Sequence, residues 1–192
     1  MCAIFDGNGL HIWEKCIIFA VIDRIIDKAM DYKKLINPYV GTPGYNCYAC
    51  SPDNPLGLHL TFFEDGEDIL TRWTPTDTYS GWNNTLHGGI QALLIDEVCG
   101  WVVNRKLQTG GVTSKFEMHY KRPVETNGKP LEVRAHIREQ RRNLITIDAT
   151  LTDSEGRVCT EATSLFFTFP KEKAANELHF KPCLVEGETP TE

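Results

Sequence analysis

The sequence predicts an α+β fold, a curved antiparallel sheet wrapped around one central helix, and three observations carry that prediction. Residues 88–106 contain no proline and are apolar on most sides, which describes a helix buried all round. Six stretches, 58–63, 69–73, 112–121, 131–139, 143–152 and 157–169, have strand character and flank that helix in sequence. Most links between them are of hairpin length, so the sheet is largely antiparallel and must enclose the lone helix.

Each element follows from its own residues. Leu58–Phe63 and Ile69–Trp73 read as two strands joined by the acidic, glycine-containing turn Glu64–Asp68. The helix follows, and then four strands whose turns are supplied by Asn127-Gly128, the polar segment Glu139–Asn143 and Ser154-Glu155-Gly156. Upstream, residues 1–44 form an N-terminal extension: a helix over 14–29 only loosely follows helical spacing, and Met30 serves equally well as a start. Pro38, Gly41, Pro43, Gly44, Pro52, Pro55 and Gly57 make an irregular approach to the core, so the domain itself is placed at 45–170. Residues 171–192 read as a loose C-terminal tail.

Composition narrows the partners. The 192 residues are 41% hydrophobic and 24% charged, which excludes collagenous, disordered and polytopic membrane chains. With 26 acidic against 20 basic side chains the net charge is -6, and nothing favours nucleic acid, whose binding rests on basic groups. Seven scattered cysteines read as reduced thiols. The apolar run Ile17–Ile22 is too short to span a bilayer, and Asp6 and Glu14 precede it where a signal peptide carries positive charge. A cytoplasmic protein with no membrane partner is expected.

The informative stretch runs from Trp82 to Glu97. Gly88 and Gly89 open the helix, where backbone N–H groups lack intrahelical partners and the dipole is positive. Such an end suits a developing oxyanion, and glycine lets a carbonyl come close; a plain tight turn is the competing reading. Asp96 and Glu97 lie deep in the apolar helix, Glu97 on its broad apolar face and Asp96 among Ala92, Cys99 and Gly100. An acid there is either useful or held by a buried partner, for which Arg105 and Lys106 are candidates. Asp96 follows His87 by nine residues, about 13 Å along a helix, so one carbonyl cannot meet both the glycine amides and Asp96 of one chain. If both act on one substrate, a second copy must lie alongside in reverse sense, as in a two-fold homodimer.

Together, Leu86-His87-Gly88-Gly89, Asp96, Gly111-Val112-Thr113, Tyr120-Lys121-Arg122-Pro123 and the hairpin Asp153–Val158 resemble the hotdog-fold acyl-CoA thioesterases of the PaaI type. The resemblance covers about residues 45–169, including the approach segment Cys47–Leu58. It implies hydrolysis of an acyl-CoA or acyl-carrier thioester without metal or cofactor, in a homodimer or a dimer of dimers. Asp96 takes the carboxylate position, activating water or attacking directly; Gly89, with Gly88, takes the amide position; His87 shapes the loop or touches the thioester; Thr113 helps hold the water. Glu97 is the alternative base. Many relatives carry an asparagine six residues before the histidine; here that place is Gly81, and Asn83 or Asn84 is the substitute.

Several readings compete. Cys47 and Cys50, with His59 downstream, invite zinc, but no second ligand pair follows at suitable spacing. His119 and His136 fall in strands, and His11 and His179 in the ends. Arg138, Arg141 and Arg142 crowd a hairpin near Lys115, fitting either the phosphates of coenzyme A or a solvated strand end. Trp82, Trp101, Phe116 and Tyr120 either wall an acyl pocket or belong to the core. An enoyl-thioester hydratase or dehydratase and a non-catalytic acyl-CoA-binding or assembly module remain as alternative functions.

Overall fold

The structure, a computed structural model, describes residues 32–189. The helix expected over 14–29 and the apolar run at 17–22 lie outside the described residues. Seven antiparallel strands form the main sheet in the order β1 (Lys33–Lys34), β2 (Phe62–Asp65), β3 (Asp68–Trp73), β7 (Leu131–Arg141), β8 (Leu144–Thr152), β9 (Val158–Thr168) and β6 (Gly111–Tyr120). A separate hairpin pairs β4 (Ser80–Trp82) with β5 (Thr85–Leu86). The long helix α1 (Gly88–Val102) follows it directly, and a shorter α2 (Lys171–Glu177) is the last helix among the described residues.

Helix α1 packs against β3, β7, β8, β9 and β6, five consecutive neighbours in the sheet. At about 4.8 Å per strand those five span about 19 Å, wider than the roughly 10 Å diameter of a helix, so the sheet must bend round it to keep contact. Leu94, Ile95, Val98 and Val102 of the helix are fully buried with Ile69, Val133, Ile145, Ile147 and Leu151 of the sheet. The helix expected to end at 106 is α-helical to Val102 and finishes in one π turn, Val103–Leu107, stopped by Gln108 at φ 50.

Three differences from the sequence reading have local causes. The first strand was expected from Leu58 but starts at Phe62, because His59 adopts φ 53 and the amides of Leu58 and Leu60 bond to Tyr48 and Ala49 of the approach loop. Upstream of the expected domain start, β1 adds an edge strand and Leu35 is buried against the core. The tail is docked, not loose, as far as residue 189: Ala174, Cys183 and Val185 are buried, and Val185 bridges to Leu35.

One irregularity bears on the site. Between Thr113 and Lys115 the β6–β9 register shifts, leaving Ser114 as an extra residue in β6. Below it Phe116, Met118 and Tyr120 face the helix, and without the bulge Ser114 and Val112 would continue that face. With it, Thr113 and Gly111 turn toward α1, and Val112 is 51% exposed.

Candidate functional site

The helix start is held from several sides. The His87 amide bonds to the Tyr79 carbonyl, and the amides of Ile90 and Gln91 bond to the His87 carbonyl. Gln91, buried, accepts from the Thr160 hydroxyl at 2.6 Å and donates to the Leu86 carbonyl at 3.3 Å. His87 is the N-cap, its Nδ1 accepting from the Gly89 amide at 2.8 Å. The Gly89 amide is therefore occupied, and among the described residues the Gly88 amide is the one at this helix end without a partner. Sequence reasoning gave Gly89 precedence; the capping bond moves the open donor to Gly88.

Tyr120, at the far end of β6, donates its hydroxyl to the Gly88 carbonyl at 3.0 Å and stacks over the place where a Gly88 side chain would project. An open groove at this end is lined by Thr85, Gly88, Gly89, Tyr120, Lys121 and Arg122. Asn83 and Asn84 sit apart, at the exposed tip of the β4–β5 hairpin, with Asn84 at φ 52. Gly81 cannot carry a side chain: its Cβ would lie 2.9 Å from His87 Cδ2 and 3.0 Å from His87 Cα. An asparagine at this position would collide with the N-cap itself.

Midway along α1, half-buried Asp96 accepts a 2.7 Å hydrogen bond from the Thr113 hydroxyl. Its partner is neither Arg105 nor Lys106, because both of those bond to Glu64. Burial and the neighbouring Asp96 charge push the Cys99 thiol well above its usual value. Gly88 and Asp96 stand eight residues apart, about 12 Å along the axis, so the two groups are separate within one chain.

Glu97 faces another way. Its Oε1 accepts from the Trp101 indole at 3.1 Å, and both its oxygens lie 3.8–3.9 Å from Cys47 Sγ. Cys47, Cys50 and Glu97 form one cluster, whereas His59 is elsewhere, with Nε2 2.6 Å from the Asn54 carbonyl. The hydrogen bond with Cys50 brings the Cys47 thiol down to about 7, and the same bond, with burial and Glu97, pushes Cys50 far up.

The basic residues do not converge. Arg138 bonds to Asp148 at 3.0 Å, Arg141 to Glu139 at 2.7 Å and Lys115 to Glu117 at 3.2 Å. Arg142 occupies the hairpin turn at φ 56. Of the aromatic residues considered as pocket walls, Trp101 is core, stacked on Phe62 at 4.5 Å, while Trp82 is 81% exposed. Tyr120 and Gln91 are the two neighbours that sequence reasoning did not assign to the helix end; the bonds from Tyr120 to Gly88 and from Thr160 to Gln91 join residues distant in sequence.

Comparison with known proteins places residues 83–160 in a match to the model of the thioesterase superfamily. No curated protein matches the chain. Among solved structures, the PaaI protein of Escherichia coli from the phenylacetic acid degradation operon is similar at 17% identity, with a TM-score of 0.54 over 59% of this chain and 82% of that one. A hypothetical thioesterase from Streptococcus pneumoniae TIGR4, crystallised with coenzyme A, is similar at 23% identity, TM-score 0.52, over 55% of this chain and 80% of that one. The smu.793 protein of Streptococcus mutans UA159, bound to acetyl CoA, is similar at 16% identity, TM-score 0.55, over 68% of this chain and 98% of that one. These likenesses establish the hotdog architecture. No helix among the described residues is long and apolar enough to cross a membrane.

Proposed function

From a thioesterase-superfamily domain at residues 83–160 within a hotdog fold, we propose that this chain hydrolyses acyl-CoA thioesters through a site shared between two copies. The observation that carries the reading is the 2.7 Å bond from Thr113 to Asp96, a half-buried carboxylate at the middle of a mostly apolar helix. Thr113 occupies Oδ1 and leaves Oδ2 to take a proton from water. The water oxygen attacks the thioester carbonyl, and the oxyanion is met by the open Gly88 amide of the partner copy, backed by the helix dipole. Collapse of the intermediate breaks the C–S bond, and the departing thiolate takes back the proton held by Asp96, giving free acid and thiol.

Strand β6 supplies the reason for two copies. It ends the seven-stranded sheet, one side of it pairs with β9, and along its other side no strand pairs among the described residues. Thr113 marks one end beside Asp96, and Tyr120 marks the other beside Gly88. Antiparallel pairing of two such edges sets one copy's Asp96 end against the other's Gly88 end, which closes the 12 Å gap that one helix leaves open. Glu97 is not the base in this scheme, since Trp101 and Cys47 hold it on a different side of the helix.

The coenzyme A seen in the pneumococcal structure and the acetyl CoA in the Streptococcus mutans structure support a CoA carrier. Arg138, Arg141, Arg142 and Lys115 are the proposed contacts for its phosphates, toward the Thr113 end of the sheet, with the present acidic neighbours of Arg138, Arg141 and Lys115 exchanged for phosphate.

The test is Asp96→Asn assayed by thiol release from short, medium, long and aryl acyl-CoAs. Wild type is expected to release thiol, and the variant to lose about 10²–10⁴ in kcat with fold and assembly unchanged. Unaltered turnover in the variant refutes the role of Asp96. Tight binding without release from any substrate refutes hydrolysis in favour of a binding module, and water addition to an enoyl thioester refutes it in favour of a hydratase.

A further inference from the structure

The approach loop and the central helix meet in a cluster that the proposed hydrolysis does not use. Cys47 Sγ, Cys50 Sγ and a Glu97 carboxylate oxygen all lie within 4.8 Å of one another, and the Cys47 sulfur is 3.8 Å from Glu97 Oε1. We propose that Cys47, Cys50 and Glu97 bind a zinc ion that staples the approach loop to α1. Around tetrahedral zinc, with Zn–S of about 2.3 Å and Zn–O of about 2.0–2.2 Å, ligand atoms sit about 3.5–3.8 Å apart. The three groups are therefore within an ångström or so of a coordinating triangle before any ion arrives.

What surrounds them strengthens the assignment, because Glu97 and Cys50 each have an outer hydrogen-bond partner. The Trp101 indole N–H fixes Glu97 Oε1 at 3.1 Å. Tyr45 Oη lies 3.0 Å from Cys50 Sγ, and it accepts from Asn37 Nδ2 at 2.8 Å, which leaves the phenolic proton to point at sulfur. Cys47 sits in a turn closed by the Ser51 amide on its own carbonyl at 3.1 Å, which holds its place in the loop. Such outer partners orient ligands and favour their anionic forms. Among the described residues no Lys or Arg bonds to any of the three, so three groups able to carry negative charge converge without a cation.

Two thiolates select a soft divalent ion over magnesium or calcium, and a water completes the tetrahedron. Binding displaces the protons of both thiols to solvent and changes no oxidation state. The site is structural: it joins a loop to the helix one residue from Asp96, on a side that Asp96 does not face. The third ligand is Glu97, fifty positions from Cys47 in sequence, which is why a search for a second cysteine pair or for His59 does not find it.

The experiment is elemental analysis of full-length protein purified without metal-affinity steps or chelators, with zinc titration of chelator-stripped protein against a chromophoric competitor. About one zinc per chain is expected, with a sulfur-to-metal charge-transfer band on cobalt substitution and a thermal midpoint lowered by chelator. Glu97→Gln is expected to weaken zinc at least about 10-fold, and Cys47→Ser with Cys50→Ser to abolish the band. Stripped wild-type protein that takes up no zinc overturns the proposal without reliance on any variant folding. So does retention of zinc in the double serine variant, or isolation of a Cys47–Cys50 disulfide under reducing conditions. Loss of acyl-CoA hydrolysis with zinc retained counts against the proposed function alone.

Discussion

Replacing Thr113 by Val removes one hydroxyl and leaves shape almost unchanged, which isolates its 2.7 Å bond to Asp96. A hydrogen bond to a charged group is worth about 1.5–3 kcal/mol when its acceptor is left unpaired. Asp96 is half-buried and Thr113 exposed, so in the ground state water replaces the lost donor and the stability cost stays under about 1 kcal/mol. For a domain of this size that is a shift of about 2–4 °C in Tm. During reaction the same water competes with the attacking one and leaves the carboxylate free to rotate, so the full interaction is lost from the transition state. The expected fall in kcat is about 10- to 150-fold, at little change in KM. Thiol release under saturating acyl-CoA measures it, alongside a thermal melt. In an Asp96→Asn background, Thr113→Val should cost nothing further, since the pair acts as a unit. Wild-type kcat in the single variant, or independent losses that multiply in the double, refutes the pairing of these two residues in catalysis.

Two further predictions concern the frame. Gly81→Ala forces a Cβ to within 2.9 Å of His87 Cδ2 and is expected to cost about 1–3 kcal/mol, read by chemical denaturation; an unchanged midpoint would mean the N-cap does not need this close approach. Burial pushes the Glu64 carboxyl up, but Arg105 and Lys106 more than reverse this and hold it below the ordinary glutamate range. Its stabilising contribution is thus fully present above about pH 4.3 and is lost as pH falls through the lower folded value. Glu64→Gln is expected to destabilise the protein by about 2–3 kcal/mol at neutral pH and to flatten the acid limb of the stability profile, and a variant with the wild-type acid limb contradicts this.

The helix and the long strands were legible because their patterns are local: residues 88–102 are apolar round most of a helix, and buried and less buried positions alternate along all of β8, along β7 as far as His136 and along β9 from Thr160. Asp96 stood out for the same reason, as a charge where the pattern allows none. What sequence could not supply were facts about register. Thr113 faces α1 only because Ser114 bulges out of β6, and no alternation of residue types announces a bulge. The choice between the Gly88 and Gly89 amides rests on a histidine side chain folding back on its own helix. The tail was misjudged because Lys, Glu and Thr conceal the three buried residues, Ala174, Cys183 and Val185, that dock it.

The rim of β6 that no described residue pairs with has a cost for the solitary chain. Its peptide groups stand ready for any extended segment that drifts by, with Val112 and Tyr120, each more than half exposed, offering grip. The strand that presents Thr113 is also the adhesive one, so in the proposed two-copy arrangement shielding and turnover arrive in a single event. On the proposed shared site, dilution does more than slow the chemistry in proportion: a separated copy would be at once idle and prone to clump, and rate per molecule is expected to climb with protein concentration until every rim is covered.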